Sequence, residues 1–261
     1  MAMLIPTEDE TMLRDAARGF LDDAAPVANL RANRDQGRAF GPDLWAEMVK
    51  MGWAGVLVGE DEGGSDMGFA AANILAEEMG RTLVASPFLS SAVIAASALR
   101  AAGRPAGAIA SGDVTYALAV DEGPKFAPAA TAMQASADGN GFRLSGTKTF
   151  VGEGTSATRV LVLAKAEAGL TLFDLEADRA GLTRDKLDLV DSRDHAALTF
   201  DNVQATGEDV VGDVGQGLAA PAGHALQNRS RARGPGLQPV GAAPDWLIEE
   251  LRAGARDRFG G

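Results

Sequence analysis

The chain has 261 residues, 46% of them hydrophobic, and at that length it exceeds what one core ordinarily organises, so two domains are expected. It contains no cysteine, which excludes disulfides, thiolate nucleophiles and cysteine-ligated metals. A formal charge of −12 argues against a nucleic-acid partner, because phosphate binding requires clustered Lys and Arg.

The opening MAMLIPTEDE carries no basic region and no sustained apolar run, and no later stretch reaches the length of a membrane span. A cytoplasmic protein without a membrane span is expected. Thr7 and Glu10 have capping-box spacing, and Met12, Leu13, Ala16, Ala17, Phe20 and Leu21 recur behind them as one helical stripe. A second helix starts at Pro42, presents Leu44, Trp45, Met48 and Val49, and ends at Gly52. Met67–Met79 reads as a third, closed by Gly80, and Pro87–Ala102 as a fourth, closed by Gly103. Glu77 and Glu78 are neighbours on the third helix and read as a solvated face.

Near Gly112 the apolar period shortens from helical to alternating. Val114–Val120, Thr131–Ala137, Phe142–Ser145, Thr147–Val151, Arg159–Ala164, Leu170–Leu175 and Ala196–Phe200 are the expected strands, with a hairpin at Asp138-Gly139-Asn140-Gly141. Strands of this length and spacing suggest a compact antiparallel barrel or sandwich. From Gly217 the pattern stops. Ala219–Pro244 holds Pro221, Pro235, Pro239 and Pro244, which no helix runs through easily, and Trp246–Leu251 turns helical again. The expected class is α+β: an N-terminal helical bundle over 1–111, an antiparallel β-barrel over 112–216, and a truncated helical segment over 217–261.

Familiar chemical signatures are few. His195 and His224 have no ligand spacing, so no metal site is expected. Gly212, Gly215 and Gly217 do not match the dinucleotide fingerprint, and neither a P-loop nor a Gly-x-Ser-x-Gly elbow occurs. Gly59-Glu60-Asp61-Glu62-Gly63-Gly64 reads, on spacing alone, as a loop between helices.

An ordered set of segments nevertheless resembles the acyl-CoA dehydrogenase family over about residues 5–217. It comprises Leu44-Trp45, Met51-Gly52-Trp53-Ala54, the Gly59–Gly64 loop, Ala76-Glu77-Glu78-Met79-Gly80-Arg81, Leu144–Val151, Asp191-Ser192-Arg193, Leu198–Val203 and Val211-Gly212. The resemblance implies FAD as cofactor, an acyl-CoA thioester as substrate, α,β-dehydrogenation with hydride transfer to the flavin, an electron-transfer acceptor protein and a homo- or hetero-oligomer. It would place Leu118 and Val120 after the first barrel strand facing the flavin, and Phe150, Val151 and Gly152 beside the isoalloxazine ring. Gly152 stands where many members carry a hydroxyl residue.

Arg256-Asp257-Arg258-Phe259-Gly260 resembles an Arg-x-x-Phe-Gly element that grips the FAD of a neighbouring subunit, which assigns Arg256 to the cofactor. Ala219–Pro244 then reads as an altered reading frame or a diverged segment, or alternatively as an unstructured basic tail. No residue is nominated as the catalytic base, which in this family is a C-terminal glutamate. Two further readings stay open: a non-catalytic subunit of a heteromeric enzyme, and an inactive acyl-CoA-binding remnant.

Overall fold

The structure, a computed structural model, describes residues 7–190 and 193–217. Helix α1 (Glu8–Ala24) starts at the expected capping box: the Glu10 amide donates to the Thr7 hydroxyl at 3.2 Å and the Thr7 amide to the Glu10 carboxylate at 2.9 Å. Helix α2 (Val27–Asp35) was not anticipated from the sequence. It buries none of its residues, so no apolar stripe announced it. Helix α3 (Pro42–Lys50) begins with proline in its first turn and buries Trp45 and Met48. Helix α4 (Gly68–Arg81) follows. The single helix expected over Pro87–Ala102 has two geometries, a π-helical stretch over Phe88–Ala95 that passes into α5 (Ala96–Ala101). A short α6 (Gly107–Ala110) leads into the sheet.

The strands are β1 (Tyr116–Ala119), β2 (Gln134–Asp138), β3 (Gly141–Gly152), β4 (Arg159–Ala166), β5 (Gly169–Glu176), β6 (Leu182–Lys186), β7 (His195–Thr206) and β8 (Val210–Val211). Their hydrogen-bonded order is β6-β7-β3-β2-β4-β5-β8, with β1 also on β4. The α+β class therefore holds, with two corrections to the expected antiparallel barrel. Among the described residues the order runs from β6 to β8 without closing, and the sheet is mixed, because β1 and β2 both pair parallel with β4. Alternation announces that a strand exists, while its direction is set by the connections, and those over 120–133 and 153–158 are crossovers rather than hairpins. The β2–β3 hairpin does form, with Gly139 at φ +58 in the first central position of its turn.

Strands β1 and β4 are apolar on both faces and divide the interior in two. Tyr116, Leu118, Val120, Leu161 and Leu163 join a core shared with the helices, where Leu21, Met48, Trp53, Leu75 and Phe88 pack. Ala117, Ala119, Val160, Val162 and Ala164 face the second core, with Leu144, Val151, Phe173 and Leu198. Near-continuous hydrophobic runs suit strands covered on both sides. Among the described residues no helix is long and apolar enough to cross a membrane. Asp191, Ser192 and everything after Gly217, including the expected Trp246–Leu251 helix and Arg256, lie outside the described residues.

Candidate functional site

The end of β3 is where the backbone departs most from regular geometry. Its register with β7 shifts between Lys148 and Val151, three steps on β3 against two on β7. Such a bulge bends the strand and re-aims its side chains. Phe150 sits within it at φ +53 and Glu153 follows at φ +54. A bulky L-residue in the left-handed region costs on the order of 1–3 kcal/mol and persists only where its surroundings over-determine it.

Those surroundings are built by the connection between β1 and β2. The Thr149 amide donates to the Asp121 carbonyl at 2.7 Å. The Lys148 ammonium, fully buried, donates to the Val120 carbonyl at 3.1 Å and to the Glu122 carboxylate at 2.7 Å. Glu122 also accepts from the backbone amides of Ala132 at 2.8 Å and Met133 at 3.0 Å. Burial pulls the Lys148 ammonium down from the ordinary lysine range, and the adjacent carboxylate offsets part of that. For Glu122 burial acts upward, but Lys148 and the two amides outweigh it and hold the carboxyl below its usual range.

Of the residues singled out from sequence, Leu118 lies within β1 rather than after it, and Val120 follows the strand. Both side chains are buried in the helix–sheet core, and that of Val151 is buried in the second core. What these three can offer a ligand is backbone. Phe150 and Gly152 are half-buried. A Cβ built on Gly152 would meet nothing closer than His195 Nε2 at 4.0 Å, so the surface there has room for a flat ring to approach. The structure thus brings the end of β1, Phe150 and Gly152 together at one bulge. Arg256 lies outside the described residues.

Lys148 and Glu122 were missed in the sequence. Period-two alternation from Leu144 does place Lys148 on an inward face, a signal that a charge there needs a partner. No spacing rule pairs it with an acid 26 positions earlier. Beside the bulge, Asp194 accepts from the Thr155 hydroxyl and the Ser156 hydroxyl, each at 2.6 Å, and from both residues' amides, which fixes the turn between β3 and β4.

A second concavity lies elsewhere. A cleft of about 590 Å³ is lined by Leu57–Glu62, Asp66, Arg100, Arg104 and Ala106. Its arginines are engaged: Arg100 pairs with Asp66, and Arg104 donates to the Glu208 and Val210 carbonyls at 2.6 and 2.9 Å. The Gly59–Gly64 loop forming one wall has a local reason for its glycines, since a Cβ on Gly64 would fall 2.1 Å from the Val58 carbonyl oxygen. No group of three or more His, Asp or Glu side chains placed to hold a metal occurs among the described residues.

A helical layer on an open mixed sheet, with a strained bulge near the end of β3, defines an α+β protein with a candidate site at that bulge. The family model described as acyl-CoA dehydrogenase, N-terminal domain, matches residues 7–107. The chain is 32% identical over 153 residues to acyl-CoA dehydrogenase FadE27 of Mycobacterium tuberculosis, covering 55% of this chain and 39% of the relative. It is 29% identical over 237 residues to the mitochondrial 2-methylacyl-CoA dehydrogenase of Solanum tuberosum, covering 84% of this chain and 57% of the relative. The fold matches the ChsE4-ChsE5 complex from Mycobacterium tuberculosis with a TM-score of 0.74 at 23% identity, covering 98% of this chain and 75% of the matched one. These matches support an acyl-CoA dehydrogenase family member. Its matches span 39% and 57% of the length of these two curated relatives.

Proposed function

We propose that the chain binds FAD against the β3 bulge and serves the α,β-dehydrogenation of an acyl-CoA thioester. The observation that carries this reading is Phe150, held at φ +53 next to the open surface over Gly152, with the preceding Thr149 amide tied to the Asp121 carbonyl just past β1. Strain of that kind collects at functional sites. The chemistry FAD supplies in this family is acceptance of a hydride from the β-carbon while a base removes the α-proton. The chain's own contribution is to present an aromatic face at Phe150, backbone groups at Leu118, Val120 and Val151, and a side-chain-free approach at Gly152. No residue of this sequence is assigned the base. An electron-transfer acceptor protein would be the oxidant for that flavin, and Arg256, outside the described residues, would be assigned to the FAD of a neighbouring subunit.

The second reading is a subunit that pairs with a chain supplying the base. The match to the ChsE4-ChsE5 complex over 98% of this chain supports it. One preparation separates the readings. The 261-residue chain mixed with FAD and desalted should retain absorbance over roughly 350–500 nm, the flavin window, and bleach anaerobically when a short-chain or branched acyl-CoA is added. A band that persists without bleaching supports the subunit. Absence of bound flavin overturns both and leaves the acyl-CoA-binding remnant.

A further inference from the structure

Lys148 is a buried titratable group that neither the fold's apolar packing nor the redox chemistry calls for. A lysine with no solvent exposure is rare, and one that stays charged needs a carboxylate and further hydrogen bonds. Here the ammonium donates to two points of the chain directly and reaches a third through its carboxylate partner. The Val120 carbonyl is where β1 ends; the Glu122 carboxylate stands on the connection that follows; and through Glu122 the clamp reaches the amides of Ala132 and Met133, where that connection returns toward β2. Both ends of the connection are therefore gathered onto one strand, β3. On that strand the next residue, Thr149, fixes Asp121, and the one after it is Phe150.

We infer that the Lys148–Glu122 clamp is the positioning element of the flavin wall: it fixes the end of β1 relative to the β3 bulge, so that Phe150 and the Val120 backbone form one preorganised surface. This rests on the reading of that surface as the FAD site. The alternative, a clamp that merely stabilises the fold, is disfavoured by what it joins. Lys148 is fully desolvated while the Glu122 side chain stays 23% exposed, and an apolar side chain of the lysine's shape would stabilise the interior without that cost, so the ion pair is better explained by a geometric role. A positioned wall spares a ligand the ordering free energy that a loose one would take from binding.

The test uses the full chain with FAD as probe and two variants, Lys148→Met and Lys148→Met/Glu122→Gln. The single variant leaves the Glu122 carboxylate without its ammonium, whereas the double variant removes both charges together and keeps an acceptor near Met133. The double variant is expected to melt close to the unmodified chain. Its dissociation constant for FAD is expected to rise about tenfold, with a changed visible circular dichroism of the bound flavin, a signal that reports ring orientation. A folded double variant with unaltered affinity and dichroism overturns the positioning role and leaves the FAD site standing. If the unmodified chain binds no FAD, the site reading fails and the positioning role fails with it. Should both lysine variants fail to fold, Glu122→Gln alone supplies the readout. A weakened FAD complex with faster amide exchange at Ala132 upholds the inference, and faster exchange without any loss of affinity overturns it.

Discussion

Glu78 shows how much a single side chain can organise. It lies on α4 and its side chain is 1% exposed, yet three arginines reach it: Arg14 at 3.1 Å and Arg18 at 2.8 and 3.0 Å from α1, and Arg81 at 3.0 Å from its own helix. The sequence expectation of a solvated face holds in part for Glu77, whose side chain is 41% exposed and paired with Arg14, and fails for Glu78. Adjacent helical residues do diverge, but here one of them turns into the α1–α4 seam. Hydrogen bonds from Arg18, opposed by burial and reinforced by Arg81 and Arg14, hold the carboxyl at about 2, against an ordinary 4.5. A carboxylate depressed in the folded state contributes stability above its unfolded pKa and loses it as pH falls toward the folded value. Glu78→Gln is therefore expected to cost about 2 kcal/mol at pH 7, the scale of a lost charge-assisted network. The gap in urea midpoint between the two proteins should narrow as pH drops from about 4.5 toward about 2. A gap independent of pH over that range would show that the arginines do not stabilise the charge.

At the scale of elements, legibility followed side-chain periodicity and failed where backbone geometry or a long-range partner decided the outcome. Strand β3 reads as two strands because a glycine in mid-strand reads as a break; in the structure it is one strand, and Gly146, at φ +146, lets Met133 approach to 2.9 Å from where a Cβ would sit. The edge strand β6 carries Thr183, Arg184, Asp185 and Lys186 and shows no apolar alternation, which suits an edge protected from further pairing. The candidate site was legible as a stretch, Thr147–Gly152, but not as a bulge, since nothing in a Phe-Val-Gly run announces a left-handed phenylalanine. That geometry yields a prediction. Phe150→Gly relieves the left-handed strain, worth about 1–2 kcal/mol, and gives up the packing of a half-buried ring, so its urea midpoint should stay equal or rise. FAD affinity should fall at the same time. A variant that loses stability while keeping its flavin would mean the ring serves the interior and not the ligand.

For the whole molecule, the division of the sequence into a helical part over 1–111 and a sheet part over 112–216 meets a core that both own. Tyr116, Leu118, Val120, Leu161, Leu163 and Leu172 from the sheet are buried with Trp45, Met48, Trp53 and Phe88 from the helices. Polar ties cross the same boundary: the Tyr116 amide donates to the Ser91 hydroxyl at 2.8 Å, and Arg104 holds the Glu208 and Val210 carbonyls. The Tyr116 phenol, buried and 3.2 Å from the Asp174 carboxylate that Arg159 also engages at 2.8 Å, keeps its proton far above the ordinary tyrosine range. Buried surface shared in this way leads to the expectation that the two parts unfold together. In a Trp246→Phe background, fluorescence of Trp45 and Trp53 follows the helical layer, and hydrogen exchange in β4 and β5 follows the sheet. Both should give one midpoint in urea. Leu163→Ala, a truncation on the sheet side of the shared core, should lower stability by about 3 kcal/mol and move both probes together. If only the β4 and β5 amides respond while the tryptophans hold their midpoint, the helices are stable without the sheet and the shared core does not couple them.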